Sequence, residues 1–283
     1  VLPYISIFIT ILLFSSIEVF SNILNGNIDP LFLAFIRFFF SGIILIAIDF
    51  KRFKSVTKWD WAQFLFLAFI GIFISFGAYH ISITGISPAA GAVIFSMNPI
   101  FSSIFAAFIL KERLHINKIL GILIGFIGVY VVVFGFNKID LSNIKFIFLM
   151  LVASIGFGIY IAASKPLVIK YGTFFTTGVI FVFGSIPYLF FIDSFVVTNT
   201  TKSLPVLLYL SLITTGLAYT LYFYGLKRVP IVVGTSMFYL KPILATIFVI
   251  IILGDIPALH FYFGVIIILT GMFLTLNNRV FDK

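Results

Sequence analysis

Ten runs of mostly apolar residues follow one another along this chain, with only short polar breaks between them. They cover 3–24, 31–50, 60–83, 88–110, 116–136, 146–168, 173–193, 204–226, 232–253 and 258–278. About 20 apolar residues, coiled as an α-helix, match the hydrocarbon thickness of a bilayer. These runs are apolar on every face, whereas a membrane β-strand alternates apolar and polar positions. Inside a bilayer each backbone N–H and C=O needs a partner within the chain, which for such runs means helix. Composition agrees: 62% of residues are hydrophobic, 10% are charged and the mean hydropathy is +1.25, far too little charge for a water-facing exterior. The expected fold is an all-α integral membrane protein with ten transmembrane helices. The first run is read as a span and not as a signal peptide, since no basic segment precedes it and no small-residue cleavage motif follows.

Charge orients the stack. Lys51, Arg52, Lys54, Lys58, Lys111, Arg113, Lys118, Lys165, Lys170, Lys227, Arg228, Arg279 and Lys283 fall in loops or helix ends on one side. Only Lys138, Lys145 and Lys202 fall on the other. Basic loops stay in the cytoplasm, so both termini are expected there, in the inner or plasma membrane of a prokaryote. The net charge of +9 is thereby explained without a nucleic-acid partner. With no cysteine, thiol chemistry and cysteine metal sites are excluded. His80, His115 and His260 are too scattered to suggest a metal site, and no cofactor is expected.

The chain also repeats itself. Residues 79–128 lie without a gap on 222–271, a shift of 143 positions. The matches include Tyr79/Tyr222, Gly91/Gly234, Phe95/Phe238, Pro99/Pro242, Gly121/Gly264 and Gly128/Gly271, with Glu112 opposite Asp255. Phe14/Phe157 and Ser21/Ser164 extend the register to the first helix of each half. Matched glycines and prolines weigh most, because they constrain backbone geometry. The halves are 1–143 and 144–283. Each holds five helices, an odd number, so the second is expected to be inverted, with a solute site near the midplane between them.

With these residues laid out, the chain resembles the drug/metabolite transporter superfamily, in its EamA-like branch. The likeness rests on Phe35-Ile36-Arg37-Phe38, on Pro99…Glu112-Arg113-Leu114…Gly121…Gly128 and on its copy Pro242…Asp255…Gly264…Gly271. Lys165-Pro166 fits as well. The family's first helix often carries a lysine where this chain has Asn22, while the matching position keeps Lys165. The resemblance implies a secondary transporter working by alternating access, not an enzyme. Family habit points to export of amino acids or related metabolites. The alternatives are import of a quaternary amine such as choline, or flipping of a lipid-linked intermediate.

Few polar groups lie within the spans, and a charge at a helix centre costs about 2.5–3.5 kcal/mol on insertion scales. Glu18 and Arg37 each lie about six residues from the outer end of their helices, roughly 9 Å deep at about 1.5 Å per residue. Equal depth predicts an ion pair, serving as a structural clamp or as a gate where solute or a coupled proton competes. Lys241 precedes Pro242 at mid-span, and its repeat partner Asn98 precedes Pro99. These prolines are expected to kink their helices and free a carbonyl one turn back. Lys241 and Asn98, with Tyr79, Tyr219, Tyr222 and Tyr239, make the expected solute site. The anionic partner of Lys241 is either Glu18 or the ligand itself. His80 is a further coupling or gating candidate.

Overall fold

The computed structural model describes residues 1–110, 116–135, 143–229 and 231–276. Lys111, Glu112, Arg113, Leu114, His115, Lys138, Arg279 and Lys283 lie outside the described residues. Among the described residues the structure is helical, with no strand. Seven helices are long and apolar enough to cross a membrane: α1 (Leu2–Ile23), α2 (Pro30–Ile48), α3 (Lys58–Ser82), α4 (Pro88–Ile109), α6 (Ile144–Tyr171), α7 (Thr173–Phe190) and α8 (Thr200–Leu226). Three further apolar helices are shorter over their described apolar stretch: α5 (Ile116–Phe134), α9 (Met237–Leu253, entered through the short helix Ile231–Ser236) and α10 (Leu259–Leu276). The chain is a multi-pass membrane protein.

Helix ends follow local chemistry. Asp29 accepts hydrogen bonds from the backbone N–H groups of Leu31 and Phe32 while Pro30 opens α2. Thr57 and Ser87 cap α3 and α4 in the same manner. Gly172 at φ +80° and Gly254 at φ +69° end α6 and α9 in a conformation other residues adopt at a cost. Residues 83–87 form the tight turn expected from Gly85 and Pro88.

The glycine pattern is spent on two helix crossings. A Cβ at Gly42 would lie 2.9 Å from the Gly178 carbonyl oxygen, and one at Gly178 would lie 2.9 Å from that of Gly42. Gly128 and Gly264 stand in the same reciprocal relation, at 2.9 Å each way. Gly271 sits against the Gly121 carbonyl, at 2.6 Å from an added Cβ. Small residues let helix backbones approach closely enough for dispersion to hold them. The paired positions also give direction. Gly121 faces Gly271 while Gly128 faces Gly264, so α5 and α10 are antiparallel, although the 143-residue shift makes them equivalent. Gly42 faces Val182 and Gly178 faces Ile46, so α2 and α7 are antiparallel too.

The shift recurs in the irregularities. A π-helical turn at Ala68–Ile74 in α3 corresponds to one at Tyr209–Leu217 in α8. In α4 the helix stops at Phe95 and resumes at Asn98; in α9 a 3-10 turn, Met237–Leu240, precedes resumption at Lys241. At the centre, two pairs of equivalent rings touch: Phe38 with Phe181 at 5.0 Å and Phe76 with Tyr219 at 6.1 Å between centroids. Phe14–Phe238 at 5.9 Å is matched by Phe157–Phe95 at 5.1 Å. Outward faces carry Phe40, Ile43, Phe69, Phe108, Ile251 and Phe273, large apolar side chains suited to lipid.

Candidate functional site

Three helices are interrupted at the level of the aromatic centre, and the interruptions carry the polar groups. In α1 the helix breaks at Ser15-Ser16, whose hydroxyls donate to the Ile11 and Leu13 carbonyls, and Glu18 follows in the next turn. In α4 Pro99 has no N–H for the Phe95 carbonyl, which instead accepts from Asn98 Nδ2 at 2.9 Å and Ser154 Oγ at 3.1 Å. The freed carbonyl expected before Pro99 is therefore taken up by Asn98 itself. In α9 Lys241 opens the segment after the 3-10 turn, with Pro242 at its start.

Lys241 donates to Glu18 Oε1, closing a salt bridge between α1 and α9. Both side chains are buried, at 1% and 0% exposure, so water screens neither. The ammonium also lies 4.7 Å from the Phe95 ring centroid, within cation–π range. Glu18 Oε2 makes no hydrogen bond of ordinary geometry, and the Tyr79 hydroxyl stands beside the carboxylate.

The expected Glu18–Arg37 ion pair does not form. Arg37 is fully buried and turns instead to Thr215 Oγ1 (Nε, 3.1 Å) and to His80 Nε2 (Nη1, 3.0 Å). Depth along two helices places charges at one level but says nothing of rotation about each axis. Here rotation puts Arg37 toward α3 and α8. Thr215, in the π-turn of α8, passes its own proton to the Leu210 carbonyl at 2.7 Å.

His80 has a defined tautomer. Its Nδ1 lies 2.7 Å from the Phe76 carbonyl, which only accepts, and its Nε2 faces a guanidinium, which only donates. Nδ1 therefore carries the hydrogen and the ring is neutral. Arg37 forms no ion pair among the described residues, and its Nη2 has no hydrogen-bond partner. Glu18, Lys241 and Arg37 together leave the site with one net positive charge.

A family model described as the EamA-like transporter family matches the chain twice, over residues 1–134 and 144–277. The chain belongs to the EamA-like transporter family. An uncharacterized transporter of Clostridium kluyveri is 28% identical, covering 98% of this chain and 93% of its own length. One from Archaeoglobus fulgidus is 27% identical over 89% and 90%. A Rickettsia felis protein named as an S-adenosylmethionine uptake transporter is 28% identical over 55% of this chain and 52% of its own. A solved structure at 19% identity aligns with a TM-score of 0.71 over 96% of this chain and 95% of its own, which speaks for the fold. Family and relatives mark the protein as a membrane transporter.

In this EamA-like transporter, Glu18, Lys241, Asn98, Arg37 and His80 are all buried on helices that meet at the aromatic centre. Tyr79, Tyr219 and Tyr222 are buried there as well, Tyr219 against Phe14 at 4.7 Å and Tyr222 against Phe238 at 5.6 Å. Tyr239 is half-buried in the 3-10 turn before Lys241. Tyr79, Tyr219 and Tyr222 each pack against aromatic rings from other helices. Asp255 and His260 line a cavity of about 310 Å³ with Ser87, Asn143 and Pro257, away from the Glu18–Lys241 pair.

Two features escaped the sequence reading. Tyr171 is buried and donates to Asp60 Oδ2 at 2.6 Å, as does Lys170 at 2.7 Å. Thr57 completes this knot between α3 and α6. Thr215 was the other, since a threonine in an apolar run gives no hint that it will meet an arginine from a distant helix.

Proposed function

We propose that the protein is a secondary active transporter moving an amino acid or a related solute with a carboxylate, by alternating access between two inverted five-helix halves. The observation that carries this reading is the pair of unused polar atoms on opposite charges. Glu18 Oε2 lacks a donor at ordinary geometry and Arg37 Nη2 lacks an acceptor. An α-amino acid offers an ammonium to the first and a carboxylate to the second. The net positive charge of the site favours the carboxylate further.

The antiparallel run of α2 against α7 and of α5 against α10 supports inverted halves with a solute site between them. The broken helices support the same scheme, since unwound segments at the midplane are where transporters of this architecture bind solute. The Glu18–Lys241 bridge joins the halves, and a proton or an incoming ammonium on Glu18 releases Lys241. Energy then comes from a proton gradient or from exchange. The relative named for S-adenosylmethionine uptake fits this chemistry, because that molecule carries the same amino and carboxyl groups. Family habit favours export, the opposite direction to that relative's, and the bias of basic residues to one side favours cytoplasmic termini.

The test is flux of a ¹⁴C-labelled mixture of the twenty L-amino acids in proteoliposomes, in both directions, with and without a pH gradient. Thermal stabilisation by amino acids, quaternary amines, sugar phosphates and polyprenyl phosphates runs alongside, on wild type, Lys241→Ala and Glu18→Gln. The reading expects a zwitterion to stabilise the wild type and neither variant. A quaternary amine that stabilises Lys241→Ala but not Glu18→Gln overturns it in favour of a choline-like importer. Stabilisation by polyprenyl phosphate alone overturns it in favour of a flippase.

A further inference from the structure

A groove of about 500 Å³ opens on the outer surface of the bundle where α3, α4 and α6 come together. Ala62 and Phe66 of α3, Ile109 of α4, and Ala163 and Pro166 of α6 line it. Packed helix surfaces leave few gaps larger than a water molecule, so a trough of this size calls for an occupant. Phe66 and Ile109 are exposed, at 55% and 44%, and an apolar trough facing the bilayer does not fill with water. The groove also spans the two halves. Its α3 and α4 walls belong to the first matched half and its α6 wall to the second.

Three polar groups at its mouth indicate what that occupant is. Trp59, 75% exposed in the first turn of α3, sets an indole where tryptophan borders lipid headgroups. Lys58 beside it is exposed and forms no ion pair among the described residues. It stands one turn before Ala62 and two before Phe66, on the same strip of helix. Gln63 lines the groove one turn below Trp59, and its amide has no hydrogen-bond partner among the described residues. An amide at bilayer depth is costly unless something bonds to it. Asp60 does not offset Lys58: at 6% exposure it turns inward, where Lys170 and Tyr171 bond it. The mouth is therefore cationic, with a free donor just beneath it and an apolar trough below that.

We infer that the groove binds one anionic glycerophospholipid from the leaflet at the Lys58 end of the bundle. The phosphate meets the Lys58 ammonium and the Trp59 indole N–H, since basic groups at this level attract anionic headgroups. The Gln63 amide donates to a glycerol ester oxygen, and one acyl chain lies along Ala62, Phe66, Ile109 and Pro166. From Trp59 to Phe66 the helix descends roughly 10 Å, at about 1.5 Å per residue, which matches the upper part of an acyl chain. A zwitterionic lipid fills the trough equally well but brings its own cation against Lys58. Held between α3 and α4 on one side and α6 on the other, the lipid braces the two halves in the arrangement described here. The site does not depend on which solute the protein carries.

The chain has two tryptophans, and while Trp59 lines the groove, Trp61 packs against Phe53 and Phe183. Trp61→Phe therefore leaves Trp59 fluorescence as the reporter. The variant is reconstituted in phosphatidylcholine vesicles holding a small fraction of dibrominated lipid, with either a phosphatidylglycerol or a phosphatidylcholine headgroup. Quenching is expected to be at least threefold greater with the brominated phosphatidylglycerol, and to be reversed by its unbrominated form. Lys58→Gln and Gln63→Leu, added to Trp61→Phe, should each bring the two headgroups within twofold. Ala62→Phe, at an exposed position, fills the trough and should abolish the preference with Lys58 in place. Equal quenching by both headgroups in Trp61→Phe, or a preference that persists in Ala62→Phe, overturns the site. Native mass spectrometry checks the wild type, released from micelles holding equal amounts of the two lipids. A one-to-one adduct with phosphatidylglycerol, at least fivefold over phosphatidylcholine, is expected; equal adducts, or a second copy of the chain in place of lipid, overturn it. These outcomes are read without any solute, so the lipid site and the transport reading fail separately.

Discussion

Glu18 and Lys241 lie 223 residues apart and meet in a salt bridge inside the bundle, with neither side chain open to the outside. One belongs to the first matched half and the other to the second. A bridge of this kind holds the halves together only while both charges persist. In a low-dielectric interior the loss of one partner leaves the other charge uncompensated.

Removal of one partner, by Glu18→Gln or Lys241→Met, is expected to destabilise the protein by about 3–5 kcal/mol, the usual penalty for a stranded buried charge. The double variant, with no charge left to strand, is expected to recover most of that loss while transporting nothing. Unfolding of the purified protein in mixed detergent micelles measures all three. A double variant as unstable as the two single losses added together contradicts the pairing.

His80 acts as a neutral acceptor for Arg37. His80→Phe deprives Nη1 of its partner and is expected to lose about 1–3 kcal/mol. His80→Gln offers an amide oxygen in its place and is expected to lose less. Because the ring is neutral throughout, the flux of His80→Gln should keep the wild-type pH profile between about pH 5.5 and 8, the range across which an unperturbed histidine titrates. A profile that loses an inflection in this variant assigns His80 a proton-carrying role instead.

The glycine seams tolerate no side chain. Gly128→Ala and Gly264→Ala each place a methyl against a backbone carbonyl at 2.9 Å. Each is expected to lose about 1–3 kcal/mol through separation of α5 and α10. Leu123→Ala, at a side chain 55% exposed on α5, serves as the control with a much smaller change. Equal effects of the three on detergent stability argue against the seam.

Pro99→Ala restores an N–H aimed at the Phe95 carbonyl, in competition with Asn98 and Ser154. A proline in a helix interior costs about 3 kcal/mol relative to alanine, so stability is expected to hold or rise. Flux is expected to fall at least tenfold as the break in α4 heals. Pro242→Ala in α9 should behave alike, because the two breaks are equivalent. A variant that transports normally assigns the break to packing alone.

The helices were legible because each apolar run is a local property, readable residue by residue. Seven emerge long enough to cross, but α4 and α9 are not the continuous rods that hydropathy suggests. The prolines announced those breaks, and they also announced the freed carbonyl that Asn98 now occupies. The π-turns at Ala68–Ile74 and Tyr209–Leu217 carry no such signal. One extra residue in a turn is decided by what packs against it, here Gly184 against Ala68 and Ser41 bonded to the Ser211 carbonyl.

The amino-acid order alone determined that the chain is a helical membrane protein, that its second part echoes its first, and that Glu18, Arg37, His80 and Lys241 fall within its apolar runs. It also set the two prolines beside Asn98 and Lys241. Tertiary structure decided which of these groups meet. Depth along a helix follows from counting residues, but each residue also turns about 100° around its axis, and the order of helices around the bundle is settled by the fit of glycine against glycine. That rotation gave Glu18 to Lys241 and Arg37 to His80 and Thr215.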